Sequence, residues 1–191
     1  NMLQMVNCLL FWSTKGDYLL SSIERDKGKK GKRVISTGFQ IFHVNEKDIP
    51  VDIVELGVDV PVVNVAWEPN SSRYAYIAIE NGTYKGYFYD VCLPINQKKS
   101  ANNLGPFKLG ETEFKRAMSV VTWSPAGRFC VFAGLTHQGD IQFWDVDEIQ
   151  LLTQADHSYM TDISWDPTGR YLTTSVSKWK APTENGFMMW T

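Results

Sequence analysis

Four tryptophans, each closing a short apolar run and each followed by tight-turn residues, constrain this chain more than any other feature. Three copies are clear: Trp67-Glu68-Pro69-Asn70-Ser71-Ser72-Arg73-Tyr74, Trp123-Ser124-Pro125-Ala126-Gly127-Arg128-Phe129 and Trp165-Asp166-Pro167-Thr168-Gly169-Arg170-Tyr171. Trp12-Ser13-Thr14-Lys15-Gly16-Asp17-Tyr18 is a weaker copy without the proline. Trp12 to Trp67 is 55 residues, Trp67 to Trp123 is 56, and Trp123 to Trp165 is 42. A unit recurring at such a period is one supersecondary motif that buries its faces on its neighbours. The motif is a turn between two strands. Proline presets φ near about −65° at the second turn position. The glycine two residues later takes positive φ without steric cost. In the second copy Ser71-Ser72 replace that glycine with one residue more, which predicts a wider turn there.

The flanking segments read as strands. Residues 62–66, 119–122 and 159–164 precede the tryptophans, and residues 74–79, 129–133 and 171–176 follow them. They are β-branched and aromatic, bounded by turn residues, and too short for helices. The near-continuous apolar run Phe129-Cys130-Val131-Phe132-Ala133 predicts a strand covered on both faces. A third strand closes each unit at residues 38–42, 86–90, 140–145 and 186–190, and the third copy ends in the dipeptide Trp144-Asp145. Outer strands are expected at 51–56, 107–109 and 149–153. The pattern is all-β and predicts a WD40-type β-propeller fragment of about four blades. The expected blades are 1–56, 57–112, 113–154 and 155–191, the last lacking its outer strand. The 42-residue step fits the usual blade of about 40–45 residues, and the longer steps require long loops. Two are evident: residues 25–33, basic and Gly-rich, and the polar insertion 93–105.

Composition and motifs argue against most other classes. Across 191 residues, 43% hydrophobic and 21% charged content exclude wholesale disorder. A net charge of −2 excludes a polycation built to coat nucleic acid. No apolar run approaches the roughly 20 residues that span a bilayer. The first ten residues lack the basic flank and cleavage site of a signal peptide. Cys8, Cys92 and Cys130 are odd in number and widely spaced, so neither a disulfide framework nor a zinc site is expected. All three read as core hydrophobes in a chain of the reducing cytoplasm. There is no nucleophile elbow, no His-Glu-x-x-His and no phosphate-binding loop. The chain is therefore read as a non-enzyme without cofactor or metal.

The remaining candidates are few. His157 fits a structural hydrogen-bond network within a blade, whereas His43 and His137 lie beside turns and are expected to be exposed. The pairs Asp145/Asp147 and Asp48/Asp52 read as solvated or turn-bonding carboxylates. Trp12, Trp67, Trp123 and Trp165 read as blade-core anchors. Lys27, Lys29, Lys30, Lys32 and Arg33 place five positive charges within seven positions, and such a loop gains from counterion release on phosphate. They are the candidate RNA or ribosome contact. Trp179, between Lys178 and Lys180 on a loop, is a candidate exposed interaction residue.

The runs Ile49-Pro50-Val51-Asp52-Ile53-Val54-Glu55, Ala66-Trp67-Glu68-Pro69-Asn70 and Trp165 through Ser177, together with Gly16-Asp17-Tyr18-Leu19 and Ala133-Gly134-Leu135, resemble the b subunit of eukaryotic translation initiation factor 3. The resemblance runs from about Val6 to Thr191. It implies a non-catalytic scaffold with an RNA-recognition-motif domain, a nine-bladed propeller and a helical tail. The propeller docks on the small ribosomal subunit, and the other two parts bind other subunits of the factor. Only later blades of that propeller would be present here. The rival resemblance is to the propeller of initiation factor 2A, and a third reading is an unrelated WD-repeat interaction adaptor. An arc of four blades leaves two apolar faces bare. At about 500 Å² each, burying one contributes roughly 12 kcal/mol at most, so the isolated fragment is expected to pair, as in two arcs forming an eight-bladed ring.

Overall fold

The computed structural model of the chain describes residues 4–28, 33–92, 105–180 and 185–191. All elements among them are β-strands, arranged as four antiparallel meanders. The first sheet is β1 (Met5–Trp12), β2 (Tyr18–Asp26), β3 (Ile35–His43) and β4 (Val51–Val58). The second is β5 (Val62–Trp67), β6 (Arg73–Glu80), β7 (Thr83–Asp90) and β8 (Phe107–Phe114). The third is β9 (Val120–Trp123), β10 (Phe129–Ala133), β11 (Asp140–Asp145) and β12 (Gln150–Asp156). The fourth has three strands, β13 (Asp162–Trp165), β14 (Leu172–Val176) and β15 (Gly186–Trp190).

Three apolar clusters hold the sheets together, one in each gap between neighbours. Phe39 and Ile41 of the first sheet meet Trp67, Tyr74, Tyr76 and Tyr87 of the second. Ala75, Ile77 and Phe88 of the second meet Trp123, Cys130, Phe132 and Trp144 of the third. Val131 and Ile141 of the third meet Met160 and Leu172 of the fourth. Alternation within a strand explains the two-sided burial. In β6, Tyr74, Tyr76 and Ala78 face the first sheet while Ala75 and Ile77 face the third. In β10, Cys130 and Phe132 face backward and Val131 and Ala133 face forward. A strand sandwiched on both faces must read as a continuous apolar run, as residues 130–133 do, whereas Phe129 at the strand's start is exposed. This stack of small sheets, each covered by the next, is a propeller arc of about four blades.

Position in the arc corrects several expectations. Trp12 is 57% exposed rather than a core anchor. The tryptophan of each blade packs on the blade before it, and the first blade has none before it in this chain. The second turn is not wider. Trp12 pairs with Leu19, Trp67 with Tyr74, Trp123 with Cys130 and Trp165 with Leu172, seven residues on in every case. Ser71 therefore stands where Gly16, Gly127 and Gly169 adopt φ of 75°, 83° and 73°, and Arg73 stands in the place of Phe129. Residues 159–161 are not strand. Tyr159 lies at φ 61° and Met160 N–H closes a turn on the His157 carbonyl, so β13 starts at Asp162. Of the cysteines only Cys130 is buried, because β1 carries Cys8 on an open face and Cys92 follows the end of β7.

Candidate interaction surfaces

The tryptophan turns gather at one end of the arc and interlock. Trp67 Nε1 donates to the Phe11 carbonyl at 2.9 Å, and Trp123 Nε1 donates to the Ala66 carbonyl at 3.0 Å. Each acceptor precedes the tryptophan of the previous blade, so one bond is repeated from blade to blade. Trp165 breaks the series: its Nε1 is buried without a partner among the described residues. The turns themselves touch in file. Lys15 Nζ donates to the Asn70 carbonyl at 3.0 Å, and Asn70 Nδ2 donates to the Pro125 carbonyl at 3.3 Å.

At the middle of this file sits an ionic cluster that sequence reasoning missed. Glu68, 3% exposed, accepts from Arg73 Nε at 2.5 Å, Arg73 Nη2 at 2.7 Å and the Arg128 backbone N–H at 2.6 Å, and also from the Ser71 hydroxyl. Burial works to raise the Glu68 carboxyl, but these donors outweigh it and hold the group below the usual carboxylate range. Arg73 Nη1 continues to Asp147 Oδ1 at 2.6 Å, and its guanidinium lies 5.9 Å from the Trp123 ring. Arg128 in turn holds Asp145 at 2.7 Å, and this bond keeps the Asp145 carboxyl below its ordinary range. Asp145 accepts a turn bond from the Asp147 N–H at 3.1 Å as expected, and both carboxylates are also paired with the turn arginines, Asp147 remaining partly solvated. The other copies carry Ser13, Ser124 and Asp166 in the place of Glu68, and each caps its own turn.

The three histidines sit in different surroundings. His157 is buried, sharing a 2.7 Å bond with the Thr174 hydroxyl, which also accepts from Trp190 Nε1 at 3.0 Å. His43 is not exposed. It lies in β3, with Nε2 2.7 Å from Asp52 and Nδ1 2.9 Å from Glu46. Burial lowers its pKa, but the two carboxylates prevail and raise it overall. Its ring meets Tyr18 edge-on, and Tyr18 stacks on Trp67 of the next blade. His137 is exposed as expected. Among the described residues no group of three His, Cys, Asp or Glu is placed to hold a metal ion. No helix among them is long and apolar enough to cross a membrane.

Both candidate loops leave the opposite end. In a meander the connections alternate ends, so β2–β3, β6–β7, β10–β11 and β14–β15, with the links between blades, emerge away from the tryptophan turns. Among the described residues these connections carry Lys27, Arg33, Lys115, Arg116, Lys178 and Lys180 against Asp59 alone. Among the described residues, the connections at the turn end carry Asp17, Glu46, Asp48, Glu68, Asp147, Glu148 and Asp166 against Lys15, Lys47, Arg128 and Arg170. The described connections are therefore net cationic at one end and net anionic at the other, although Asp26, Glu80, Asp140, Asp156 and Asp162 stand at the strand ends that border the cationic connections. Lys27 Nζ lies 3.7 Å from Glu55, and Arg33 is exposed. Lys29, Lys30 and Lys32 lie outside the described residues, as does the insertion at 93–104. Lys178, Trp179 and Lys180 form a turn, closed by Lys180 N–H on the Ser177 carbonyl at 2.9 Å. Trp179 is 96% exposed.

The geometry defines an arc of propeller blades, and sequence comparison says which. The chain belongs to the family described as "Eukaryotic translation initiation factor eIF2A", which matches residues 1–191. It is similar over its whole length to the B subunit of eukaryotic translation initiation factor 3 from Xenopus laevis, 36% identical over 192 residues, and from Aspergillus clavatus, 35% identical over 211. It spans 26% and 28% of those proteins, about a quarter of their length. The resemblance to the b subunit of initiation factor 3 is thereby established. Two solved structures share the fold. One, described as "Crystal structure of the eukaryotic initiation factor", superposes on 98% of the chain and 52% of its own, with TM-score 0.57 and 13% identity. The other is the β-propeller domain of the Trilobed protease from Pyrococcus furiosus, with an open velcro topology, TM-score 0.65, 10% identity, and coverage of 98% and 55%.

Proposed function

We propose that this chain is part of the propeller of a non-catalytic scaffold subunit of eukaryotic translation initiation factor 3, docking on the small ribosomal subunit as the pre-initiation complex assembles. The observation that carries the reading is whole-chain similarity, at 35–36% identity, to proteins named as the B subunit of that factor. Interlocked turns and filled gaps support a scaffold, since they hold the blades rigidly while the loops project at the ends. Its polar constellations are consumed in structural bonds. The partners on this reading are the other subunits of the factor and the ribosomal RNA and proteins of the small subunit, in the cytoplasm. The cationic end is the ribosome-facing one, with Lys27 and Arg33 of the basic loop and Lys178, Trp179 and Lys180 as contacts. The blades are taken as 1–56, 57–112, 113–154 and 155–191, and in isolation the arc self-associates through its two open faces. The test is affinity purification of the tagged full-length protein followed by gradient sedimentation. Co-purification of other subunits and movement with the small ribosomal subunit are expected; a protein that sediments free of both contradicts the proposal.

The match of residues 1–191 to the eIF2A family description favours a second reading, the propeller of initiation factor 2A itself. The same purification separates the two, since that reading predicts ribosome association without factor 3 subunits.

A further inference from the structure

At the cationic end, the third and fourth blades present aromatic rings that no packing requirement explains. Trp179 is 96% exposed on a turn, with a lysine on either side. Tyr159 is 40% exposed and held at φ 61°, a backbone region that bulky residues rarely adopt. Its N–H is tied to the His137 carbonyl at 2.9 Å, and the two rings lie 6.4 Å apart along a groove of about 550 Å³ that Lys180 and Met160 also line. Backbone strain that turns an aromatic ring toward solvent points to a use for that ring. Exposed rings interleaved with lysines suit unpaired nucleotides: every base has a face to stack, and the phosphates follow the cations. Of the carboxylates at the neighbouring strand ends, Asp140 is paired with Arg116 at 2.9 Å, while Asp156 and Asp162 are exposed beside Lys178 and Lys180.

We propose that this surface binds single-stranded RNA, with a base stacked on Trp179, phosphates on Lys178 and Lys180, and Tyr159 with His137 as a second platform. The inference rests on the ribosome-docking reading above and names the ligand of one of its loops. Duplex RNA is disfavoured, because its bases are already stacked and hidden from the rings.

The test uses the full-length protein and two probes, a fluorescein-labelled 12-nucleotide oligouridine and a 12-base-pair RNA duplex, read by anisotropy. Trp179→Ala is expected to weaken oligouridine binding roughly 5- to 100-fold, and Trp179→Phe to restore most of it. Replacing both Lys178 and Lys180 by Gln should lower the slope of log affinity against log salt by about 1.4. Photocrosslinking with 4-thiouridine RNA should label peptides containing Trp179 or Tyr159. Unchanged oligouridine affinity in Trp179→Ala with crosslinks confined elsewhere overturns the proposal. So does a Trp179→Ala variant that loses the small ribosomal subunit yet binds oligouridine normally, which assigns the ring to a protein partner and leaves the scaffold reading standing. Failure of the scaffold reading shows separately, as wild-type protein that purifies without factor subunits or ribosome.

Discussion

Glu68→Ala should be among the most damaging single changes in the chain. The carboxylate is 3% exposed and receives two bonds from Arg73 and one from the Arg128 amide of the next blade. Its loss leaves the half-buried guanidinium with Asp147 alone and strands a backbone donor. Breaking a buried pair costs about 3–5 kcal/mol, much of it the penalty of the uncompensated charge. At a urea m-value of about 2 kcal/mol/M the midpoint should fall by about 2 M. Arg73→Ala alone should cost less, because Arg73 is the more solvated partner. The double variant Glu68→Ala/Arg73→Ala should be milder than the two singles summed, since the stranded charge goes too. The sign with pH is fixed. A carboxyl whose folded pKa is lowered adds stability above its unfolded pKa of about 4.3, and that share is lost as pH falls through the folded value. Wild type should therefore lose stability on acidification more steeply than Glu68→Gln. Urea unfolding followed by tryptophan fluorescence is the assay. Additive single costs, or a Glu68→Ala cost under about 1 kcal/mol, would refute the latch between the second and third blades.

The inter-blade bonds, one crowded glycine and one paired histidine can be tested in the same way. Trp67→Phe and Trp123→Phe each lose an inter-blade bond and should cost about 1–2 kcal/mol more than Trp165→Phe, whose indole N–H has no partner among the described residues; thermal melts compare them. Gly139→Ala places a methyl 1.7 Å from the His157 carbonyl oxygen at φ 66°, so a loss of at least about 3 kcal/mol is expected, and a variant melting like wild type would contradict it. His43 has a raised pKa, so its stabilisation is fully present below about pH 6.5 and disappears as pH rises through the folded value; His43→Gln should flatten that part of the stability–pH curve. Light scattering on the isolated chain should report a dimer or larger, and a monomer at high concentration would show that the open faces do not pair.

The fold is legible in the sequence because its constraints are local. Proline and glycine at fixed offsets from Trp123 and Trp165 dictate the turn, and apolar runs such as residues 130–133 announce burial on both sides. What is not legible depends on neighbours. Trp12 carries the same motif as Trp67 but lies exposed, since only the presence of a preceding blade decides its burial. The second turn reads as wider than it is because Arg73 resembles Arg128 in sequence while occupying the place of Phe129 in the register. Glu68 offers one signal: a longer acid where the other copies carry Ser13, Ser124 and the shorter Asp166, five residues before an arginine. His43 reads as exposed because Asp52 and Glu46 approach it only when β4 folds back along β3. The shared end of Lys27, Arg33 and the Trp179 turn follows from strand parity alone, once the strands are counted.

Everything above requires these sheets to be consecutive members of a larger ring, open here at both sides. An electron-microscopy map of the full-length protein tests this most directly. Further blades are expected against both end faces, with the Trp12 indole N–H bonded to a carbonyl of the blade before it and the Ser164 carbonyl accepting from the blade after. A map in which Trp12 faces solvent, or in which the first and fourth sheets close on each other, would contradict it.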